Sequence, residues 1–528
     1  MSWEQAAALG DLDDSPVVFK KSPKQIALFK VGDEVYAVDN RCPHEGYPLA
    51  EGHVDEQCML TCNWHNWKFR LHDGECVLGG DHVRAYSVKQ EDGHVWVNIA
   101  DPSPEVVEEE ILRGLQKSFR ERDFGRICRE ISRLHFNGFD PQVAVHKAIE
   151  WSHDKFEYGT THAFAACADW LAKYREFEGD WERQLICLAE TVDHMAFDAL
   201  RHPPFPFAEP DKEFDEAAFV DAVEREDRQT AESMVARGLD DGLHWSDMES
   251  AFSTAALLHF NDFGHSLIYV YKMSQIVERL GSEIERHLLL PFARNLCYTM
   301  REDLLPEFKS YGELIGDIES FGNDIAPKPD PREVFPMSVR QAQLWIVDCA
   351  PAQKPMTLYW PLLEALARNM LHYDTSFDVA YDRSVNQNVG WLNFSHGLTF
   401  ANAVRIVCSK YPQLWAQGLM QMGCMLGRNR GCLDLELDDA EWFVTDRDQF
   451  FADVDNKILD HGMRDPIFSA HLIKTPVAIR EELAFAPASC QTYLLASLNR
   501  LMNSPIKQKH TRRLARQAIE LVSRDFAS

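Results

Sequence analysis

Apolar and polar positions change period about one hundred residues into the chain. The segments VVFKK, QIALFKV, EVYAVDN, WKFRLHD, ECVLGG, RAYSVKQ and HVWVNIA are short and rich in β-branched and aromatic residues, with turn signals VGDE, HDGE and EDGH between them. That texture predicts an antiparallel all-β module over 1–101. In 102–110, two prolines precede an acidic run, which predicts a linker feeding a helix. Apolar residues then recur every three or four positions over 105–134, 141–174, 181–200, 215–237, 247–281, 283–304, 338–349, 358–371, 397–426, 476–502 and 508–525. That is the helical period. Residues 111–528 read as one large all-helical domain, interrupted by Pro-rich loops at 202–210 and 326–336. The fold class expected is multi-domain, a small all-β domain followed by a large all-α domain. A length of 528 residues suits that division.

Charge removes some functions. Lys and Arg number 54 against 83 Asp and Glu, a net charge of −29. Nucleic acid and anionic membrane are poor partners for such a chain, because phosphate binding needs clustered cations. No apolar run reaches the roughly 18 residues of a membrane span, and the first residues lack a secretory pattern. The thirteen cysteines are scattered, and beyond residue 100 none form close pairs, which fits reduced thiols in a cytoplasm.

The strongest chemical signal lies in the β module. Cys42-Pro-His44 is followed, after seventeen intervening residues, by Cys62-Asn-Trp-His65. Two thiolates and two imidazoles are the donor set of a Rieske [2Fe–2S] cluster, in which two histidines replace two cysteines on one iron. Two loops at the tips of neighbouring hairpins would clamp the cluster and leave the histidines facing an electron partner. The flanks CPHEGYPLAEG and CNWHNWKF, the DGE turn and the GG pair resemble the Rieske ferredoxin family over about 1–100. High-potential members of the wider family carry an extra cysteine in each loop, joined as a disulfide. Neither loop has one here, so the resemblance implies the lower-potential type that hands single electrons onward.

The helical part must then hold the acceptor. The carboxylate and paired histidines of ring-hydroxylating Rieske oxygenases have no convincing counterpart, and helical texture contradicts their catalytic fold. Histidines instead fall in four apolar segments. The first holds His146, Glu150, His153 and His162, with Glu150 and His153 sharing a helix face. The second holds His259 and His265, the third His396, and the fourth His471 and Lys474. Imidazole-rich sites suit iron, copper or zinc, and coupling to the cluster selects Fe2+. Glu150/His153 with Glu190/His194 offers an alternative diiron set of the Glu-x-x-His kind. Other histidines, His287, His461 and His510 among them, read as structural or exposed.

In order, these segments resemble the questin oxidase-like family of helical non-haem enzymes. His162-Ala-Phe-Ala-Ala is similar to its first motif, and His265-Ser-Leu-Ile-Tyr269 to a His-Pro-Leu-Ile-His motif with the Pro and second His replaced. His396-Gly-Leu-Thr399 and His471-Leu-Ile-Lys474 match its His-x-x-Thr and His-x-x-Lys motifs. The resemblance spans most of 140–500. It implies a non-haem iron enzyme that oxidises aromatic, polyketide-like compounds, with iron held by several histidines. The metal candidates are His162, His265, His396, His471, Lys474, His153 and His259. Lys474, one helical turn from His471, would serve as a ligand after taking up CO₂, since a buried lysine has a lowered pKa.

The sequence therefore predicts a Rieske-coupled non-haem iron oxygenase acting on an apolar small molecule with O₂. An external ferredoxin or NAD(P)H-dependent reductase would supply electrons, and the cluster's histidine face would approach either the iron of its own chain or, in a head-to-tail homo-oligomer, that of a neighbouring copy. The alternative from a different class is an electron-transfer component without chemistry of its own.

Overall fold

The computed structural model describes residues 2–199 and 203–523. By contacts the chain divides into two compact units, Met1–Pro141 and Gln142–Ser528.

The first unit begins with eleven short strands: β1 Trp3–Ala8, β2 Val17–Lys21, β3 Lys24–Val31, β4 Glu34–Asp39, β5 His53–Val54, β6 Met59–Thr61, β7 Lys68–Arg70, β8 Cys76–Leu78, β9 Ala85–Tyr86, β10 Val88–Glu91 and β11 His94–Asn98. They form three antiparallel sheets, ordered β1-β11-β10, β2-β3-β4-β9 and β5-β6-β7-β8. Successive residues of β3 alternate between two cores, Ala27 and Phe29 entering one and Ile26 and Leu28 the other. Leu60, Phe69, Leu71 and Leu49 form a core beneath the two Cys/His loops.

The expected linker at 102–110 is a correction. Pro104–Glu121 is helix, opened by Ser103 with Pro104 in its first turn. The single helix expected over 105–134 is also two. Arg122 is left-handed, and Asp123 caps a second helix, Phe124–Phe136, by accepting from Arg126 N. Both helices belong to the β module's unit, so its boundary lies about forty residues beyond the position expected near 101. The reason is electrostatic. Asp81, buried between β8 and β9, meets Arg126 Nε at 2.8 Å, Arg129 Nε at 2.7 Å and Arg133 Nη2 at 3.1 Å. Burial alone would raise Asp81's pKa, but Arg129 and Arg133 hold it below the usual carboxylate range.

The second unit is helical. Four of its helices, His162–Glu176, His265–Leu280, Trp391–Lys410 and Pro466–Leu483, each pack on two of the others and close a ring. Several long periodic runs are broken where the sequence pattern continued. The run 141–174 divides between Ser152 and His162, and 247–281 divides between Leu258 and His265. Pro412 starts a one-turn element that separates Trp391–Lys410 from Trp415–Arg428. Pro476, where a helix was expected to start, lies inside the helix Pro466–Leu483. No helix among the described residues is long and apolar enough to cross a membrane.

Candidate functional site

The two Cys/His loops are copies of one backbone design. Cys42 N donates to Tyr47 O at 2.9 Å, and Gly46 N to Cys42 O at 2.8 Å. Cys62 N donates to Trp67 O at 2.8 Å, and Asn66 N to Cys62 O at 3.0 Å. The fifth residue of each loop is left-handed, Gly46 at φ 80° and Asn66 at φ 60°. Glycine and asparagine tolerate that conformation best. The turn carries the third residue of one loop and the fourth of the other toward each other, so His44 Nδ1 lies 3.1 Å from His65 Nδ1. Trp67 stacks on His44 at 4.5 Å and 16°, and Trp64 stacks on His65 at 5.0 Å. The Gly-Gly pair has a local cause, because a Cβ on Gly79 would lie 2.4 Å from the Trp67 ring.

Cys42 and Cys62 are buried beneath the histidines, while His44 is half-buried and His65 exposed. Burial pushes the Cys42 thiol up to about 11. A bound metal would displace that proton. Cys58 and Cys76 lie outside the loops, and none of the thirteen cysteines is joined in a disulfide.

The second constellation is where the four ring-forming helices meet. His162, His265, His396 and His471 each present one nitrogen, and these four atoms lie within 4.8 Å of one another. His396 Nε2 is 2.7 Å from His265 Nε2 and 3.2 Å from His471 Nε2. The opposite nitrogens are tied to the backbone. His396 Nδ1 donates to Leu392 O and His471 Nδ1 to Ile467 O, both at 2.6 Å, and His265 Nδ1 donates to Asp262 O. These bonds fix the tautomer and leave the Nε2 lone pairs turned inward, as metal-ligating histidines require. His162 Nε2 is buried with no partner at all.

Burial holds His162, His265 and His471 far below the ordinary imidazole value, and holds His396 down to about 3. All four are neutral at pH 7. Neutral donors facing one another at such distances repel unless a cation sits among them, and an all-imidazole donor set suits iron, copper or zinc. Lys474 is fully buried, its Nζ has no hydrogen-bond partner, and burial lowers its pKa to about 8.

The four histidines stand near helix starts rather than mid-helix. His162 and His265 are the first residues of their helices, and His396 and His471 lie in the second turn. Asp262, Phe263 and Gly264 are three successive left-handed residues before His265, at φ 42°, 54° and 76°. Such backbone stores strain and needs its surroundings to hold it. Glu302 accepts from Phe263 N at 2.8 Å and pairs with Arg428, whose guanidinium lies 3.6 Å over the Phe263 ring. Asp262, Glu302 and Arg428 carry no signal in the sequence pattern. Only the DFG step before His265 hinted at a break. Tyr269, standing where the resembled motif has a second histidine, has its ring 5.8 Å from that of His265.

Two candidates go elsewhere. His153 bonds Glu150 O at 2.7 Å and packs on His287 at 4.4 Å, and His259 sits between Asp303 and Glu224 at 3.0 and 2.7 Å. Both are corrections: the breaks before His162 and His265 turn those two residues, and not their upstream neighbours, into the centre. The alternative diiron set is also not assembled. Glu150 pairs with Lys147, Glu190 with His461, and His194 lies 3.5 Å from Asp198.

The paired loops and their donor set define an iron–sulfur protein of the Rieske type. The Rieske [2Fe-2S] domain family matches residues 2–89. The 3-phenylpropionate/cinnamic acid dioxygenase ferredoxin subunit of Escherichia coli (strain K12) is 32% identical over 95 residues, covering 18% of this chain and 82% of that protein. The anthranilate 1,2-dioxygenase ferredoxin subunit of Burkholderia cepacia is 31% identical over 100 residues, covering 18% and 92%. Among solved structures, the ferredoxin of carbazole 1,9a-dioxygenase from Nocardioides aromaticivorans IC177 matches at 25% identity with a TM-score of 0.18, covering 18% of this chain and 97% of its own. The chain belongs to the Rieske [2Fe–2S] family through this first unit, which implies a [2Fe–2S] cluster.

Proposed function

We propose that the chain is a Rieske-coupled non-haem iron oxygenase. Electrons from an external ferredoxin or NAD(P)H-dependent reductase enter at Cys42, His44, Cys62 and His65 and are used at His162, His265, His396 and His471. The observation that carries this reading is the convergence of four buried nitrogens, three of them held by Nδ1–H bonds to backbone carbonyls. Fe2+ bound there would supply O₂ activation.

The chain's own residues prepare the site. The helix-start carbonyls orient the imidazoles, burial keeps them neutral, and the packed ring of helices excludes water. Lys474 completes the proposal. Its unpartnered amine can form an N–C bond to CO₂ and release a proton, giving a carboxylate-ended side chain among the histidines. The order of the histidine motifs supports a questin oxidase-like catalytic domain, and with it an apolar aromatic or polyketide-like substrate. Cysteines that form no disulfide support a cytoplasmic setting.

Iron analysis tests the reading, with electron paramagnetic resonance before and after reductant. Three irons per chain are expected, two in the cluster and one outside it. Four would favour a diiron site. Two would leave an electron-transfer component and overturn the oxygenase.

A further inference from the structure

One cavity is lined by residues that precede two of the four histidines on their helices. It has a volume of about 310 Å³ and sits between the start of the helix Trp391–Lys410 and the segment 506–514. Leu392 and Phe468 form part of its wall. Leu392 is the residue whose carbonyl holds His396, about 6 Å of helix rise away. Phe468 precedes His471 by three residues, and the carbonyl holding His471 is that of its neighbour Ile467. The cavity thus opens about one helical turn from two of the four histidines.

Its chemistry is two-sided. Val389, Leu392, Phe468, Ile506 and Leu514 make an apolar wall, and Lys507, Lys509, His510 and Arg513 supply a basic one. The basic side is unusual for this chain. Residues 505–516, PIKQKHTRRLAR, contain no acid, although acids outnumber Lys and Arg by 83 to 54 overall. Arg513 is spent on the carbonyls of Phe377 and Ala380, while Lys507 and Lys509 are exposed and have no bonded partner among the described residues. Among the described residues lining the cavity the one acid is Asp378, which engages the Tyr373 hydroxyl and also feels the charges of Arg513 and Lys507, leaving Lys509 without an acid. Trp391, also in the wall, is 2% exposed, yet its indole N–H has no acceptor. A buried donor without a partner costs free energy unless a ligand accepts from it. The positive ends of the helices Trp391–Lys410 and Pro466–Leu483 add to the same field.

We infer that this cavity is the substrate entrance and that it selects a small aromatic anion, a planar ring bearing a carboxylate or an ionised phenol. The ring lies on the Leu392 and Phe468 side, toward the histidines, and the anionic group faces Lys507 and Lys509. This inference rests on the proposed oxygenase reading and adds the charge of the substrate to it.

The test titrates full-length protein, at low salt, with 2-naphthoate and with its neutral methyl ester, followed by calorimetry. Naphthoate is expected to bind at least tenfold more tightly than the ester. The double variant K507A/K509A is expected to lose most of that preference and leave ester binding within twofold. L514W, at the exposed lip, is expected to weaken both ligands. Equal affinity for acid and ester, or naphthoate binding unchanged in the double variant, would overturn the inference. The iron content of the same preparation is measured separately. Anion selectivity with only two irons per chain would overturn the oxygenase and leave the anion pocket standing, whereas three irons without selectivity would do the reverse.

Discussion

The chain carries two four-donor constellations built in opposite ways. At the Rieske loops all four donors fall between Cys42 and His65, and each loop closes on itself through two backbone hydrogen bonds. The geometry is local and sits at an edge where His65 is exposed. In the helical unit the donors run from His162 to His471, one on each of four helices, and three of them are buried as whole residues. No donor there is oriented by another's loop. His396 and His471 are each held by a carbonyl of their own helix, and His265 by a turn pinned through Glu302 and Arg428. A surface pair of loops suits exchange of electrons with a partner. A buried ring of neutral imidazoles suits chemistry from which water is kept out.

Breaking each site separately is the sharpest use of this contrast. C62S removes a thiolate with no substitute nearby, so the cluster and its visible absorption are expected to be lost entirely, while iron in the helical unit stays. Metal analysis showing both sites emptied would mean they do not assemble independently. H396A is expected to do the reverse. It removes the imidazole nearest to both His265 and His471, so iron and turnover in the helical unit should fall by more than the roughly 10–100-fold that loss of an outer partner costs. Cluster absorption should be unchanged. Retention of three irons in H396A would remove it from the site.

The smallest expected effects separate the two ways of holding a backbone. In G264A the new Cβ would lie 2.5 Å from Phe400 Cδ2, at a residue already left-handed. A cost of about 1–3 kcal/mol is expected, with weaker iron binding. In G46A the new Cβ meets chiefly the movable end of the Arg41 side chain, and the equivalent turn already accepts Asn66. A loss nearer 1 kcal/mol, without loss of the cluster, is expected. Urea melts of the two variants, with iron content, check the ranking. A larger loss in G46A would reverse it.

The β module and the Rieske donors were legible because their signals are short-range. A period-2 pattern, a turn residue and a Cys-x-His spacing each involve neighbours in the chain. Helical content was equally legible, but helix ends were not. The apolar period continues through Leu258 and on past His265, and nothing in it reports the left-handed Asp262–Phe263–Gly264 turn. The same blindness joined His153 and His259 to the metal list, since sequence nearness to His162 and His265 looked like evidence of a shared site. The unit boundary was missed because the three arginines that meet Asp81 lie 45 to 52 residues beyond it.

By itself, then, the sequence determined the fold class and the presence of a Rieske [2Fe–2S] domain, and it marked Cys42, His44, Cys62 and His65 as the cluster's candidate donors. It also marked His162, His265, His396 and His471 as candidates. Only the tertiary structure decided that those four share a centre, that His153, His259, Glu150 and Glu190 lie elsewhere, and that Lys474 is left beside them without a partner. The physical reason is the range of the interactions. A loop's geometry is set by dihedral angles and hydrogen bonds within six residues. A site made by four helix starts exists only once packing has brought together side chains hundreds of residues apart.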